Sequence, residues 1–529
     1  MRRQSTYEHR ESGYSAASDV DTDRRHQLSG VRALVIVVAV ASIVAGCSRN
    51  ADTRGRPAGT TAGPTTRRSA APTVNVTTFG AHCDGSTDNT AALQAAVNGA
   101  GSRTIVASHG ATCLFSHLTI SKPVRIDFAG ATLKVDVGTT GTFIVIRADD
   151  VSFEGGVING SYAGGGIGSI IEWDGKDGVL SHTTLEHGSN VGLDAASGSV
   201  AVNYSTAVDF RNVGFLDEGG TMTTLGAQAH DCGYAGFEFA SQAPQGAILD
   251  ASTSHNGIGA YILSNGGTIK SFVSDDDNNF GLLLKGGASD WTAQAVETDR
   301  EGQTIRNRSG CGVELWRDSH DDVFDSIISN TNAGFGVALG IDNTHNTFRM
   351  IYGDDVGSFN SNPGIALGSG NGENSFSKVT ISDYTIGINI GEEGAFFPAP
   401  NDDNLFGSVH VYNSSANGVS FFSGSSNRIG ALTLVNASSA DGVARRNREY
   451  GAVNFENGSS DNVIDFLSES GTTDVPDFVA YVGHIGGGAG VPTGNSIASG
   501  MASCWSIGVT DDTVGGNTFR LTTSGRPQC

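Results

Sequence analysis

From Gly233 onward the chain repeats a short stretch that opens on glycine and continues apolar, any residue, apolar. It reads Gly236-Phe237-Glu238-Phe239, Gly259-Ala260-Tyr261-Ile262, Gly281-Leu282-Leu283-Leu284 and Gly312-Val313-Glu314-Leu315, and continues through Gly336-Val337-Ala338-Leu339, Gly364-Ile365-Ala366-Leu367, Gly387-Ile388-Asn389-Ile390 and Gly418-Val419-Ser420-Phe421. Successive glycines lie 22 to 31 residues apart. A second ladder is interleaved: Asn346-Thr347-Phe348, Asn374-Ser375-Phe376, Asn404-Leu405-Phe406, Asn427-Arg428-Ile429, Asn462-Val463-Ile464, Asn495-Ser496-Ile497 and Asn517-Thr518-Phe519. A third apolar-alternating stretch follows, as in Val379-Thr380-Ile381-Ser382, Val409-His410-Val411-Tyr412 and Leu432-Thr433-Leu434-Val435. Each unit thus carries three strands, and no unit can bury its apolar face alone. Stacked coil on coil, they make three parallel sheets around one continuous column. The predicted fold is an all-β, right-handed parallel β-helix.

Upstream of the repeat the pattern changes. Residues 74–97 read as a strand, a turn and an amphipathic helix, with Leu93 and Val97 on one helix face and Thr87 or Asp88 placed to cap its start. This is the N-terminal cap that a stack of coils needs. Further upstream an apolar run, Ala33 to Ala45, follows a leader that ends at Arg32. It is too short to span a bilayer and suits a signal peptide. It runs into Val44-Ala45-Gly46-Cys47, which resembles the bacterial lipoprotein box and makes Cys47 the expected lipidated residue. The expected organisation is therefore residues 1–47 as signal and lipobox, 48–73 as a flexible linker poor in apolar residues, and 74–529 as the β-helix. The expected location is extracellular, lipid-anchored to the cell membrane, with no other membrane contact.

Composition narrows the partner. Gly 74 against Pro 11 suits a turn-rich β protein, and the formal charge of -23 argues against nucleic acid and against polyanions such as uronate polymers. Six cysteines accompany Cys47, an allowed disulfide count for an exported chain. Cys83 with Cys113 and Cys504 with Cys529 are placed to staple the two ends. Cys232 and Cys311 fall three coils apart, about 14 Å at the spacing of stacked strands, beyond disulfide reach, so both are expected as buried thiols. Nothing sets the oligomeric state.

The run Phe79-Gly80-Ala81-His82-Cys83-Asp84-Gly85-Ser86-Thr87-Asp88-Asn89-Thr90-Ala91-Ala92-Leu93-Gln94-Ala95-Ala96 resembles the "FGA-x-x-DG-x-TD-x-T-x-A-x-Q-x-A" opening of the pectate-lyase-like superfamily. The close match covers about Val74 to Gly130. It implies the β-helix fold and, in the superfamily's enzymes, cleavage of glycosidic bonds in a polysaccharide; non-catalytic members also occur. Asp84 and Asp88 belong to the cap. The ordered Asn-Thr-Asp, Asp-Asp and Gly-His-Gly motifs of polygalacturonase-like members are missing. Gly353-Asp354-Asp355 imitates the middle one but aligns with the turn positions Ser382-Asp383 and Tyr412-Asn413. Asp275-Asp276-Asp277 occupies a turn of the same kind, where calcium is a candidate ligand; no other cofactor or metal is indicated.

Outward positions that break the rule of small or polar filler mark the candidate site. Two residues past the glycines these are Glu238, Tyr261 and Glu314; two further on stand Lys285 and Trp316, then Arg317, Asp318 and His320. An aromatic face beside carboxylates and a guanidinium suits a sugar ring. Glu314 with Asp318 is the expected acid and base of a glycoside hydrolase, provided the chain turns sharply after Trp316. Glu238 is a further catalytic candidate, although three coils separate it from Glu314. Tyr261, Lys285, Trp316, Arg317 and His320 are expected to bind substrate. Two alternatives stay open: a non-catalytic carbohydrate-binding or adhesion β-helix, and a polysaccharide lyase using Lys285, Arg317 and His320.

Overall fold

In the computed structural model, residues 72–163, 168–240, 243, 245–302, 310–355, 362–391, 401–437, 451–470, 478–483, 491–502, 507–509 and 516–523 are described. Every strand pairing among them is parallel, and the strands of one 16-stranded sheet follow chain order from Leu118–Ile120 to Ile507–Val509. The glycine repeat builds this sheet. Phe237, Ala260, Leu282, Val313, Val337, Ile365, Ile388 and Val419 are register partners in one inward line. The glycines are required by close approach between coils: a Cβ on Gly259 would stand 2.4 Å from the Gly281 carbonyl oxygen, and one on Gly387 2.5 Å from that of Gly418.

The second and third strands share a 29-stranded sheet. In the later coils they run into each other, as in Thr347–Asp354 and Leu405–Tyr412, so the expected second and third faces are two limbs of one bent sheet. Phe348, Phe376 and Phe406 stack in the interior with centroids 4.8 and 4.4 Å apart and nearly parallel planes. The asparagines ahead of them form a buried ladder at the turn. Asn374 Nδ2 donates to Asn404 Oδ1 (3.0 Å), Asn404 Nδ2 to Asn427 Oδ1 (2.9 Å), and each also donates to a backbone carbonyl. The period-2 alternation fills one apolar column from Val74 to Ala502.

The cap helix spans Thr90–Gly99 and buries Leu93, Ala96 and Val97. Its N-cap is Asn89, not Thr87 or Asp88, and the Asn89 side chain serves the preceding loop by accepting from His82 N and Cys83 N. Asp88 still contributes by accepting from Thr90 N (2.9 Å). Asp84 accepts from Ser86 N and Thr87 N, a structural turn whose bonds hold its carboxyl well below the usual range. Cys83 and Cys113 are disulfide-bonded across this first turn, while Cys232 and Cys311 are buried thiols outside any disulfide. Residues 70–529 form one compact unit. Cys47, Cys504, Cys529 and the signal segment lie outside the described residues. Among the described residues no helix is long and apolar enough to cross a membrane.

Candidate functional site

One outward column of the glycine-strand sheet runs Glu172, Asp194, Leu216, Glu238, Tyr261, Leu283, Glu314, Ala338, each residue in register with the next. At about 4.8 Å per rung, Glu238 and Glu314 are three rungs apart, about 14 Å. Although this is the outer surface, much of it is covered. Val191, Val213, Ala235, Ile258, Tyr261 and Leu283 form an apolar cluster separate from the interior column, with Leu216, Leu263, Phe280 and Trp316 packed against it half-buried. The Tyr234 ring stands edge-on to Tyr261 at 5.7 Å.

The burial of this face acts on its acids. Glu314 is 5% exposed, and desolvation pushes its carboxyl up to about 7 against the opposing pull of a hydrogen bond with the Cys311 thiol and the charge of Lys285. Glu238 is pushed up to about 7 by burial and then by Glu218. Asp194, 9% exposed, is pushed up to about 8, by burial first and then by Glu218, Glu172, Asp174 and Asp217. Asp217 sits in register with Ala195 and Phe239 on the inward side and is raised to about 6 by burial, although one oxygen accepts from Met222 N (2.8 Å).

The structure brings Tyr261, Lys285, Glu314 and Trp316 together: the rings share the apolar cluster and Lys285 acts on the Glu314 carboxyl. It does not bring Asp318 to Glu314. The strand Cys311–Arg317 runs straight past Trp316, and Asp318 begins the turn beyond it, exposed and left-handed with φ 55. Four residues of strand set the two about 13 Å apart, so the sharp turn that an acid–base pair required comes too late. Arg317 is exposed, and His320 has its Nδ1 2.9 Å from Asp321. Of the basic trio expected for a lyase, Lys285 lies near Glu314, while Arg317 ends the strand and His320 stands in the turn beyond it beside Asp321.

The turn Asp275-Asp276-Asp277 is not a preformed calcium site, because its three carboxylates go separate ways. Asp275 pairs with Arg300, Asp276 lies 3.5 Å from His255, and Asp277 is buried, accepting from Thr253, Ser274 and Asn256. Among the described residues no group of three or more His, Cys, Asp or Glu is arranged to hold a metal ion. Asp354 pairs in register with Ser382, and Ser382 with Tyr412, the shared turn position expected.

Sequence reasoning missed Glu172, Asp194 and Glu218. The signal was available for two of these coils, since Gly192-Leu193-Asp194 and Gly214-Phe215-Leu216-Asp217-Glu218 continue the glycine repeat upstream of Gly233. Glu172 follows no such glycine and is placed only by its pairing with Asp194.

No family model matches the chain, and no curated protein matches it. Among solved structures, it is similar to the tailspike protein of Escherichia coli bacteriophage HK620 in complex with pentasaccharide (10% identity, covering 85% of this chain and 78% of that one, TM-score 0.46). It is also similar to the A-module of Azotobacter vinelandii mannuronan C-5 epimerase AlgE6 (13%, 85% and 99%, TM-score 0.28) and to PfbA, a surface adhesin of Streptococcus pneumoniae (9%, 69% and 88%, TM-score 0.30). The coil register set out above is that of a parallel β-helix.

Proposed function

We propose that the outer face of the glycine-strand sheet binds a polysaccharide and hydrolyses its glycosidic bonds. The observation that carries this reading is the single register column in which Asp194, Glu238 and Glu314 are all raised to between about 7 and about 8. A carboxyl that still holds its proton near neutral pH is a general acid for a departing glycosidic oxygen. The long column also presents repeated polar positions beside an apolar, aromatic floor, which suits a polymer of sugar rings.

Hydrolysis needs two carboxyls, about 5–5.5 Å apart when configuration is retained and about 6.5–9.5 Å when it is inverted. Glu172 and Asp194 are one rung apart, about 4.8 Å; Asp194 and Glu238 are two rungs apart, close to the upper inverting limit. Asp194 is therefore the proton donor, with Glu172 or Glu238 as its partner. Glu314, Lys285, Tyr261 and Trp316 extend the sugar-binding surface. The chain is read as held at the cell surface by lipid on Cys47, which the apolar run Ala33 to Ala45 supports; the mass of the N-terminal peptide of the mature protein tests this.

Purified protein offered a panel of neutral polysaccharides should release reducing ends, and Asp194→Asn should lower that rate about 100-fold or more. Unchanged turnover in that variant removes Asp194 from the chemistry. The same face equally suits a binder, for which polymer would be retained without new reducing ends; an unsaturated, ultraviolet-absorbing product would instead mark a lyase.

A further inference from the structure

The coils before Tyr261 present more carboxyls on this face than the two that hydrolysis uses. Glu172 and Asp174 come from one coil, Asp194 from the next, Glu218 from the third and Glu238 from the fourth. Electrostatics couples them: Asp194 feels Glu218, Glu172 and Asp174, and Glu238 feels Glu218. Among the described residues none of the five takes part in an ion pair, although ten such pairs occur elsewhere.

Two of these acids have local partners. Glu172 accepts from the Thr142 hydroxyl (3.2 Å) and Asp174 from that of Ser197 (2.8 Å). Asp194 has none. It is 9% exposed, and its Oδ1 is buried without a hydrogen-bond partner. A buried carboxyl in that state costs folding free energy unless something arrives to satisfy it.

Three kinds of ligand bear on this orphan. A metal ion needs several chelating groups, and no three acids here are arranged for one. A sugar hydroxyl offers one proton and no charge, so it leaves the mutual repulsion of the acids in place. An ammonium group offers three donors and a positive charge, which answers both the orphaned oxygen and the repulsion. A uronate would add to the repulsion.

We propose that the polymer taken by this face carries free amino groups, and that the ammonium of a 2-amino sugar seats between Asp194, Glu172 and Glu218. This rests on the reading of the face as a polysaccharide site. The acidic balance of the whole chain, -23, works in the same direction by drawing a polycation toward the groove.

The test is calorimetric titration of the full chain with glucosamine oligomers, their N-acetylated counterparts, galacturonate oligomers and calcium chloride alone, at low and high salt. Glucosamine oligomers should bind at least tenfold more tightly than the acetylated ones, lose affinity with salt, and lose at least tenfold in Asp194→Asn. Circular dichroism of that variant guards against misfolding. Equal or tighter binding of acetylated or galacturonate oligomers overturns the inference. So does calcium alone saturating the site with the same dependence on Asp194. If a neutral polysaccharide is cleaved while the aminated one is neither bound nor cleaved, only this inference fails; if no sugar polymer is bound or cleaved, the proposed function fails with it.

Discussion

Asn404 is where the asparagine ladder can be cut with least collateral change. Its side chain is 1% exposed and fully engaged: Oδ1 accepts from Asn374 N (3.2 Å) and Asn374 Nδ2 (3.0 Å), while Nδ2 donates to Asn371 O (2.9 Å) and Asn427 Oδ1 (2.9 Å). In Asn404→Ala, Asn374 Nδ2 keeps its bond to Asn343 O, and Asn427 Oδ1 keeps the bond from Asn404 N. Two groups lose the bonds described, the Asn374 N–H and the Asn371 carbonyl. At about 1–3 kcal/mol for each buried orphan, the loss is about 4 kcal/mol. Guanidinium unfolding, followed by circular dichroism and tryptophan fluorescence, should show that loss as a lower midpoint at unchanged slope. Lys378→Ala, exposed on a neighbouring coil, should stay within about 0.5 kcal/mol. Asn404→Asp keeps the shape but turns a donor into an acceptor facing Asn371 O and Asn427 Oδ1, so its penalty should grow as pH rises above the ordinary carboxylate range. The native Asp277 has four donors on its two oxygens, and burial still holds its carboxyl above the usual range. A loss below about 1 kcal/mol in Asn404→Ala, with no pH dependence in Asn404→Asp, would refute the view that the ladder holds the coils together.

Three further outcomes are expected. Asp194 is raised from an ordinary value of 3.8 to about 8, so the folded state holds the proton more tightly than the unfolded one; that contribution is full below pH 3.8 and is lost as pH rises through about 8. Asp194→Asn should therefore melt above the parent protein at pH 8, with the gap closing toward pH 4, and a lower melting temperature at pH 8 would count against the burial of this carboxyl. Phe376→Ala, which removes the middle ring of the interior stack, should cost about 3–5 kcal/mol in the same unfolding experiment, and less than 2 would mean that the stack is filled by repacking. Cys113→Ser opens the disulfide between residues 30 apart and should cost about 3–4 kcal/mol on chain-entropy grounds, read as an earlier melt of the cap.

The repeat from Gly233 onward, the three strands per coil, the glycine and asparagine lines and the cap were legible because each is a local pattern. Alternation says which side chains enter the core, and glycine or asparagine at a fixed phase says where the backbone bends or the next coil presses close. Gly259 and Asn404 need no knowledge of distant residues to be placed. The pairing of Asp194 with Glu172 was not legible, since it depends on how coils of unequal length come into register, and 22 to 31 residues of turn and insertion separate one outward position from the next. Nor did periodicity disclose that the outer face is itself covered. An outward carboxyl reads as solvated until the structure shows Glu314 and Asp194 almost wholly enclosed, and that enclosure, a property of several coils acting together, raises their carboxyls far above the range of surface acids. Asp318 shows the converse: four residues from Glu314 in the chain, it is carried off by a strand that runs one residue further than the pattern implied.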